Sequence, residues 1–288
     1  MLTRRQARKN FTEYCRYIAA DQPPATHQQI LCEKLQELEA GDIKNLMVFM
    51  PPGSAKSTYT SVRFVTWFLG RNPKKDIIQA SNTAELASRF GRKARNLLDT
   101  QRYRTLFDVQ LAKDSQAKNQ WEVVPSVDDE EAGGEYYAVG VEGAVTGRRA
   151  DGGLIDDPVK GREDAESERS RDKVWDWYQS DFGTRLKPGG WRIIIQTRWH
   201  QDDLSGRILP EGWSGESGLI NCRDGRDWYV LCIPAEAREN DPVGRKPGEW
   251  LWPEWFADDY WPLAKIGASP CDWSALSQPQ PTPEEGTD

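Results

Sequence analysis

The sequence predicts an α/β protein built on a mostly parallel β-sheet with helices on both faces. Apolar runs without alternation, such as 45–50 and 76–81, are typical of strands that are buried on both sides. Segments with helical periodicity, such as 58–69 and 83–98, lie between these runs. Because strands and helices alternate along the chain, consecutive strands are expected to run parallel. The 288 residues suffice for one large domain or two small ones.

Composition narrows the class of protein. No apolar run approaches the roughly 20 residues that a membrane span requires, so no membrane partner is expected. The five Cys form no CxxC pair and are interpreted as reduced thiols, and two distant His argue against a His-rich zinc site. The formal net charge is -7, so contact with nucleic acid is expected only at a local basic patch or in a ring lumen.

Residues 1–44 are predicted to form an N-terminal helical segment. Aromatic and apolar residues recur at helical spacing over 2–20, and Thr26 is a candidate cap for a second helix that ends at Gly41. Gln28 lies at the start of this second helix, shortly before the first strand. It is a candidate for reading the adenine edge of a nucleotide, and the alternative is an ordinary polar helix start.

The loop after the first strand carries the main chemical signal. A Pro/Gly turn is followed by a Lys-Ser pair and then by a helical segment, which is the order of a phosphate-binding (Walker A) loop. Lys56 would neutralise the β- and γ-phosphates of ATP, and the Ser57 hydroxyl would hold Mg²⁺. The predicted nucleotide-binding set of the loop is Gly53, Ser54, Ala55, Lys56, Ser57 and Thr58.

This loop departs from the usual pattern at two positions. Glycine is usual six residues before the lysine and directly before it, where this chain has Met50 and Ala55. Gly53 still supplies backbone freedom within the loop. A Pro/Gly turn that precedes a helix with an incidental lysine is the alternative interpretation.

A second motif is the acid pair Asp156-Asp157 at the end of an apolar strand, about a hundred residues after the loop. In a nucleotide hydrolase, the first acid of such a Walker B strand holds Mg²⁺ and the second orients the attacking water. Asp156 is therefore a candidate magnesium ligand and Asp157 a candidate catalytic acid. The alternative is an Asp-Asp-Pro turn at a strand end.

Three further groups are candidates for contact with the γ-phosphate or with DNA. Arg148, on a Gly-flanked loop shortly before the acids, could supply a cation to a neighbouring subunit's site. Gln196 and Thr197 end a buried strand and could sense the γ-phosphate. The competitors of Arg148 are Arg149, Arg185 and Arg198.

A basic helix face, either solvated or in contact with a DNA backbone, carries Arg89, Arg92, Lys93 and Arg95.

Together these motifs resemble the ATPase domain of the large subunit of tailed-bacteriophage terminases, over roughly residues 25–280. The resemblance rests on segments 51–58, 146–149, 154–164, 184–189 and 196–204. It implies a P-loop NTPase fold of the additional-strand, RecA-like type, and an ATP- and Mg²⁺-dependent motor that packages double-stranded DNA. The implied partners are the portal protein, the terminase small subunit and further copies of the chain in a pentameric ring. The implied location is the cytoplasm of the bacterial host.

The family's functional residues fall on matching positions of this chain. The resemblance places the nucleotide loop on Gly53 to Ser57, the magnesium acid on Asp156 and the catalytic acid on Asp157. It places the trans-acting arginine on Arg148. It also places a coupling motif on Gln196-Thr197-Arg198.

The predicted organisation has three parts. The N-terminal helical segment precedes an ATPase core over 45–235, and a lid and linker follow over 236–288, where proline and tryptophan are frequent and periodicity fades. Terminase large subunits usually carry a C-terminal nuclease domain. It is expected to be encoded separately or to belong to a longer chain, so we expect ATPase activity and no DNA cleavage. Two other functions stay open, a degenerate P-loop docking or scaffold module and a helicase-like nucleic-acid remodeller.

Overall fold

A computed structural model describes residues 2–125 and 133–282 of the chain. Within these ranges one sheet contains β1 Asn45–Phe49, β2 Ile77–Ser81, β3 Gln110–Gln116, β4 Gln120–Val124, β5 Glu135–Gly140, β6 Ala150–Asp156, β7 Leu186–Gln196, β8 Gly218–Asn221 and β9 Asp227–Cys232. The strand order is β3-β4-β5-β2-β6-β7-β1-β9-β8. The run from β5 to β9 is parallel, and β3, β4 and β8 pair antiparallel at the two edges. The prediction of a mostly parallel sheet is confirmed.

The position of β7 matters most for the site. It lies between β1 and β6, with Gln196 opposite Phe49 on one side and Ile195 opposite Asp156 on the other. All three strands run in the same direction, so their carboxyl ends meet at one edge of the sheet. The loop after β1, the acids after β6 and the polar residues after β7 are therefore neighbours.

Helices pack on both faces of the sheet. They are α1 Leu2–Lys9, α2 Phe11–Ile18, α3 Thr26–Ala40, α4 Val65–Arg71, α5 Ala84–Leu98, α6 Gln101–Arg104, α7 Arg162–Glu166, α8 Glu168–Trp177, α9 Gly183–Arg185, α10 Leu204–Ile208, α11 Tyr260–Gly267 and α12 Pro270–Asp272. Three π-helical segments accompany them, at Thr58–Phe64, Tyr178–Phe182 and Trp273–Ser277. No helix among these described residues is long and apolar enough to cross a membrane.

The core has two layers, one on each face. On one face Phe11, Phe64 and Trp67 pack beneath the N-terminal helices and α4. On the other face Phe182 and Trp228 belong to a second cluster around α8. Burying large apolar side chains on both faces explains why the central strands are continuous apolar runs.

One helix boundary differs from the sequence prediction because a polar side chain interrupts the helix. The helix expected over 2–20 is two helices, since the side chain of Asn10 accepts a hydrogen bond from the Glu13 amide at 2.9 Å and starts α2 anew. The predicted lid contributes Leu251, Trp261 and Trp273 to the same buried cluster as Ile233. Residues 283–288 of the predicted linker lie outside the described ranges.

Candidate active site

The loop after β1 is bonded to the ends of β6 and β7. The Ser57 hydroxyl donates to Asp156 Oδ1 at 3.0 Å, and the Lys56 ammonium donates to Thr197 Oγ1 at 3.2 Å. Asp156 is fully buried, and Lys56 and Thr197 are almost so. Four residues that were singled out from the sequence thus meet at the shared edge of three strands.

The backbone of the loop is left-handed at two residues. Gly53 has φ 81°, which glycine adopts freely, and Ala55 has φ 66°, which an L-residue adopts only at a cost. This conformation explains why glycine is usual directly before the lysine. The Ser54 hydroxyl within the loop is buried without a hydrogen-bond partner among the described residues. A buried polar atom in this position suits a loop that surrounds phosphate.

The electrostatics of Asp156 suit a bound cation. Burial, together with the adjacent Asp157 carboxylate, raises the pKa of the Asp156 carboxyl group to about 7. Hydrogen bonds from Ser61 and Ser57 and the charge of Lys56 act in the opposite direction. A buried carboxylate beside a second carboxylate gains from positive charge, so Asp156 and the Ser57 hydroxyl form a donor set of oxygen atoms of the kind that Mg²⁺ accepts.

Asp157 is held in an unusual backbone conformation. Its φ is 48°, its amide donates to the Ile195 carbonyl at 2.8 Å, and its Oδ1 accepts a hydrogen bond from the Thr197 amide at 2.8 Å. The side chain remains half-buried rather than enclosed. Non-glycine residues that several surrounding contacts hold in a left-handed conformation are frequent at functional sites.

The family is decided by a comparison of the sequence with known families. The family described as "Terminase large subunit, T4likevirus-type, N-terminal" matches residues 47–262. The chain belongs to this family. A search of curated protein sequences gives no match.

Solved terminase structures share the fold. The large terminase ATPase domain of Thermus phage P74-26 is 13% identical, with a TM-score of 0.57 over 95% of this chain and 99% of that one. The large terminase of bacteriophage HK97 is 14% identical, with a TM-score of 0.57 over 96% of this chain and 55% of that one. This terminase chain therefore has the P-loop NTPase fold of those domains, as the sequence resemblance implied.

In this terminase chain a cavity of about 330 Å³ adjoins the phosphate loop. The side chain of Gln28 lines it and donates to the Ser54 carbonyl at 3.4 Å, while Gln28 Oε1 accepts from the Ala25 amide at 2.9 Å. The cavity is also lined by Gly53, Ala55, Thr58, Tyr59, Arg63, Trp252 and Trp255. The sequence reasoning missed the last four.

Of the predicted coupling residues, Gln196 and Arg198 are enclosed within the chain. Arg198 Nε donates to Asp203 Oδ2 at 2.6 Å, and both side chains are buried. Asp203 in turn caps α10 by accepting from the Gly206 amide at 2.8 Å. The Gln196 amide faces Asp203 without a hydrogen bond of ordinary geometry.

The candidate trans-acting arginines lie apart from the phosphate loop or within the interior. The Arg148 guanidinium stacks 3.8 Å above Tyr137, donates to Gln120 Oε1 at 3.2 Å and pairs with Glu135 at 3.5 Å, so it rests on β4 and β5. Arg149 is exposed, and Arg185 is half-buried beside the start of β7.

Proposed function

We propose that this chain is the ATP-hydrolysing motor domain of a DNA-packaging terminase that moves double-stranded DNA into a procapsid. The observation that carries the proposal is the placement of Thr197. Its hydroxyl accepts from Lys56 of the phosphate loop and its amide donates to the Asp157 carboxylate. A residue at the end of an additional strand thus contacts both the predicted phosphate ligand and the predicted catalytic acid.

The nucleotide would be held by this chain's own loop. Lys56 would bind the β- and γ-phosphates, and the left-handed turns at Gly53 and Ala55 would turn backbone amides toward them. Ser57 and Asp156 would hold Mg²⁺, which when bound supplies positive charge against the phosphate oxygens. Gln28 and the adjoining aromatic cavity would receive the base.

Asp157 would orient the attacking water and accept its proton. Its carboxylate is half-buried and fixed at one oxygen by the Thr197 amide, so the other oxygen is left for water. Thr197 also contacts Lys56. A movement of the Lys56 ammonium toward phosphate would therefore move Thr197 and, through it, the Asp157 carboxylate. Thr197 and Gln196 would in this way couple the state of the nucleotide to the catalytic acid.

The assembly is proposed from the family and from the surface. Double-stranded DNA, the portal protein, the small subunit and a pentameric ring of this chain would be the partners, in the cytoplasm of the bacterial host. Arg89, Arg92 and Lys93 are exposed on α5 and offer positive charge to a DNA backbone on a chain of net charge -7. Residues 236–288 would act as lid and linker, and Arg148 would act on a neighbouring subunit.

ATP turnover by the purified chain tests the proposal. Lys56→Ala is expected to abolish turnover and weaken ATP binding, whereas Asp157→Asn is expected to bind ATP and Mg²⁺ but to lose at least about 100-fold in turnover. Calorimetry with ATP and Mg²⁺ supplies the binding measurement. Turnover that survives Lys56→Ala, or no ATP binding by the parent chain at millimolar nucleotide, would refute the motor and favour a scaffold role.

A further inference from the structure

The carbonyl group of Asp157 is held by a residue from another strand. Asn82 donates to this oxygen twice, from its side-chain Nδ2 at 2.9 Å and from its backbone amide at 3.1 Å. Both bonds come from the single residue between the end of β2 and Thr83, which caps α5. None of the motifs in the sequence pointed to Asn82.

These bonds act on a residue whose backbone is held in a left-handed conformation. Asp157 has φ 48°, its amide is bonded to Ile195 in β7, and its carboxylate is bonded to Thr197 directly after β7. Asn82 therefore supplies the remaining restraint, from the opposite side of β6, because β2 and β7 flank β6. Without it, Asp157 would be free to relax toward the extended conformation that a residue before proline, here Pro158, usually adopts.

We propose that Asn82 is a positioning residue for Asp157, which it holds through the Asp157 carbonyl group. This inference rests on the proposed role of Asp157 in ATP hydrolysis. The Asn82 side chain touches no phosphate-loop residue among its described hydrogen bonds, so it would act on the rate of the chemical step and not on nucleotide binding.

Two variants and a matched control separate positioning from general support of the helix start. Asn82→Ala removes the side-chain donor, and Asn82→Asp removes it in an almost isosteric side chain and places an acceptor against the carbonyl. Thr83→Ala is the control, because Thr83 caps α5 by accepting from the Leu86 amide at 3.2 Å and has no hydrogen bond to Asp157 among the described residues.

Steady-state ATP turnover is the first measurement. Both Asn82 variants are expected to lower kcat by about 10- to 100-fold, with KM for ATP within about twofold of the parent, because a misplaced catalytic group lowers rate more than binding. Thr83→Ala is expected to keep the parent kcat within about twofold. If Asn82→Ala destabilises the fold, the kcat of Asn82→Asp alone tests the positioning role.

Amide hydrogen exchange in the nucleotide-free protein is the second measurement. The segment around Asp157 is expected to exchange about tenfold faster in Asn82→Ala than in Thr83→Ala. Parent-like kcat in both Asn82 variants, or an equal loss in Thr83→Ala, would overturn the positioning role while leaving the motor in place. A parent chain without any ATP turnover would instead overturn the proposed function, and this inference with it.

Discussion

Lys56 Nζ lies 3.2 Å from Thr197 Oγ1, so the phosphate loop is bonded to the end of a strand 141 positions further along the chain. The ammonium group is almost fully buried, and this hydroxyl is its described hydrogen-bond partner. This partner is neutral, and the charge of Lys56 acts on the Asp156 carboxyl group without a described hydrogen bond to it, so the buried cation is only partly compensated. The site is therefore prepared to exchange that partner for phosphate.

We expect Thr197→Val to destabilise the nucleotide-free protein, because the valine keeps the shape of the side chain but removes the acceptor. The free energy of unfolding should fall by about 1–3 kcal/mol, the range for a hydrogen bond to a buried charged group. Chemical denaturation measures it, and Thr197→Ser, which keeps the hydroxyl, should stay close to the parent. Saturating ATP and Mg²⁺ should narrow the difference, since phosphate would then pair with Lys56. Equal losses of unfolding free energy in Thr197→Val and Thr197→Ser would show that side-chain packing, and not the hydroxyl, is responsible.

Ala55→Gly should stabilise the protein in spite of the greater freedom of glycine in the unfolded chain. The left-handed conformation at φ 66° costs an L-residue about 1–2 kcal/mol, whereas glycine's extra unfolded-state entropy costs about 0.4–1 kcal/mol. The net gain in free energy of unfolding is expected to be about 0.5–1 kcal/mol. Ala40→Gly, at an exposed right-handed position that ends α3, should lower stability instead. A loss of stability in Ala55→Gly would contradict the left-handed loop.

The central part of the fold was predictable because its signals are local. The strand before the phosphate loop was expected over 45–50 and is Asn45–Phe49, and the helix expected over 83–98 is Ala84–Leu98, with Thr83 as its cap. The edge strands β3 and β8 were not predicted. They are short or polar and are stabilised by pairing with a neighbouring strand, and Leu219 in β8 is 65% exposed.

Within the candidate site, only the residues that belong to recognisable sequence motifs could be predicted. Lys56, Ser57 and Asp156 were found because their chemistry demands those residue types at the ends of strands. Trp252 and Asn82 were not, because their contacts depend on how distant segments pack and not on any local pattern. Ala55 was treated as a defect of the motif, whereas the structure gives it the backbone conformation that glycine usually supplies.

His27 should make the protein less stable in mild acid. Burial lowers its pKa from 6.5 to about 4, and its ring Nε2 donates a hydrogen bond to the Ser54 carbonyl at 3.2 Å. The unfolded chain therefore binds more protons than the folded one between these two values, so stability is present at neutral pH and is lost as the pH falls below 6.5.

His27→Gln is expected to remove this pH dependence. Between pH 7 and pH 5 the parent should lose about 1–2 kcal/mol more unfolding free energy than the variant, as measured by denaturation at both pH values. His200→Gln is the comparison, because the pKa of His200 is also lowered by burial and by Arg171 but its side chain is more exposed. An identical pH dependence in the parent and in His27→Gln would show that His27 is not held neutral.

Arg148 should act only between subunits. Its guanidinium rests on Tyr137, Gln120 and Glu135 of its own chain, on the β4–β5 side of the sheet, while Lys56 follows β1. β2, β6 and β7 lie between β5 and β1 in the sheet. If Arg148 serves a neighbour's γ-phosphate, it must leave these contacts when a ring forms.

Mixing two inactive variants tests this role. Lys56→Ala lacks a working phosphate loop but can offer Arg148, and Arg148→Ala has the loop but lacks the arginine, so each alone should show almost no ATP turnover. In an equal mixture, roughly a quarter of all sites pair an intact loop with an intact neighbouring arginine, and turnover should recover toward that fraction under conditions that assemble the ring. Arg149→Ala is the matched control and should keep turnover when tested alone. A mixture no more active than the sum of its parts would place the catalytic cation elsewhere, because only a residue donated across a subunit boundary can be complemented in this way.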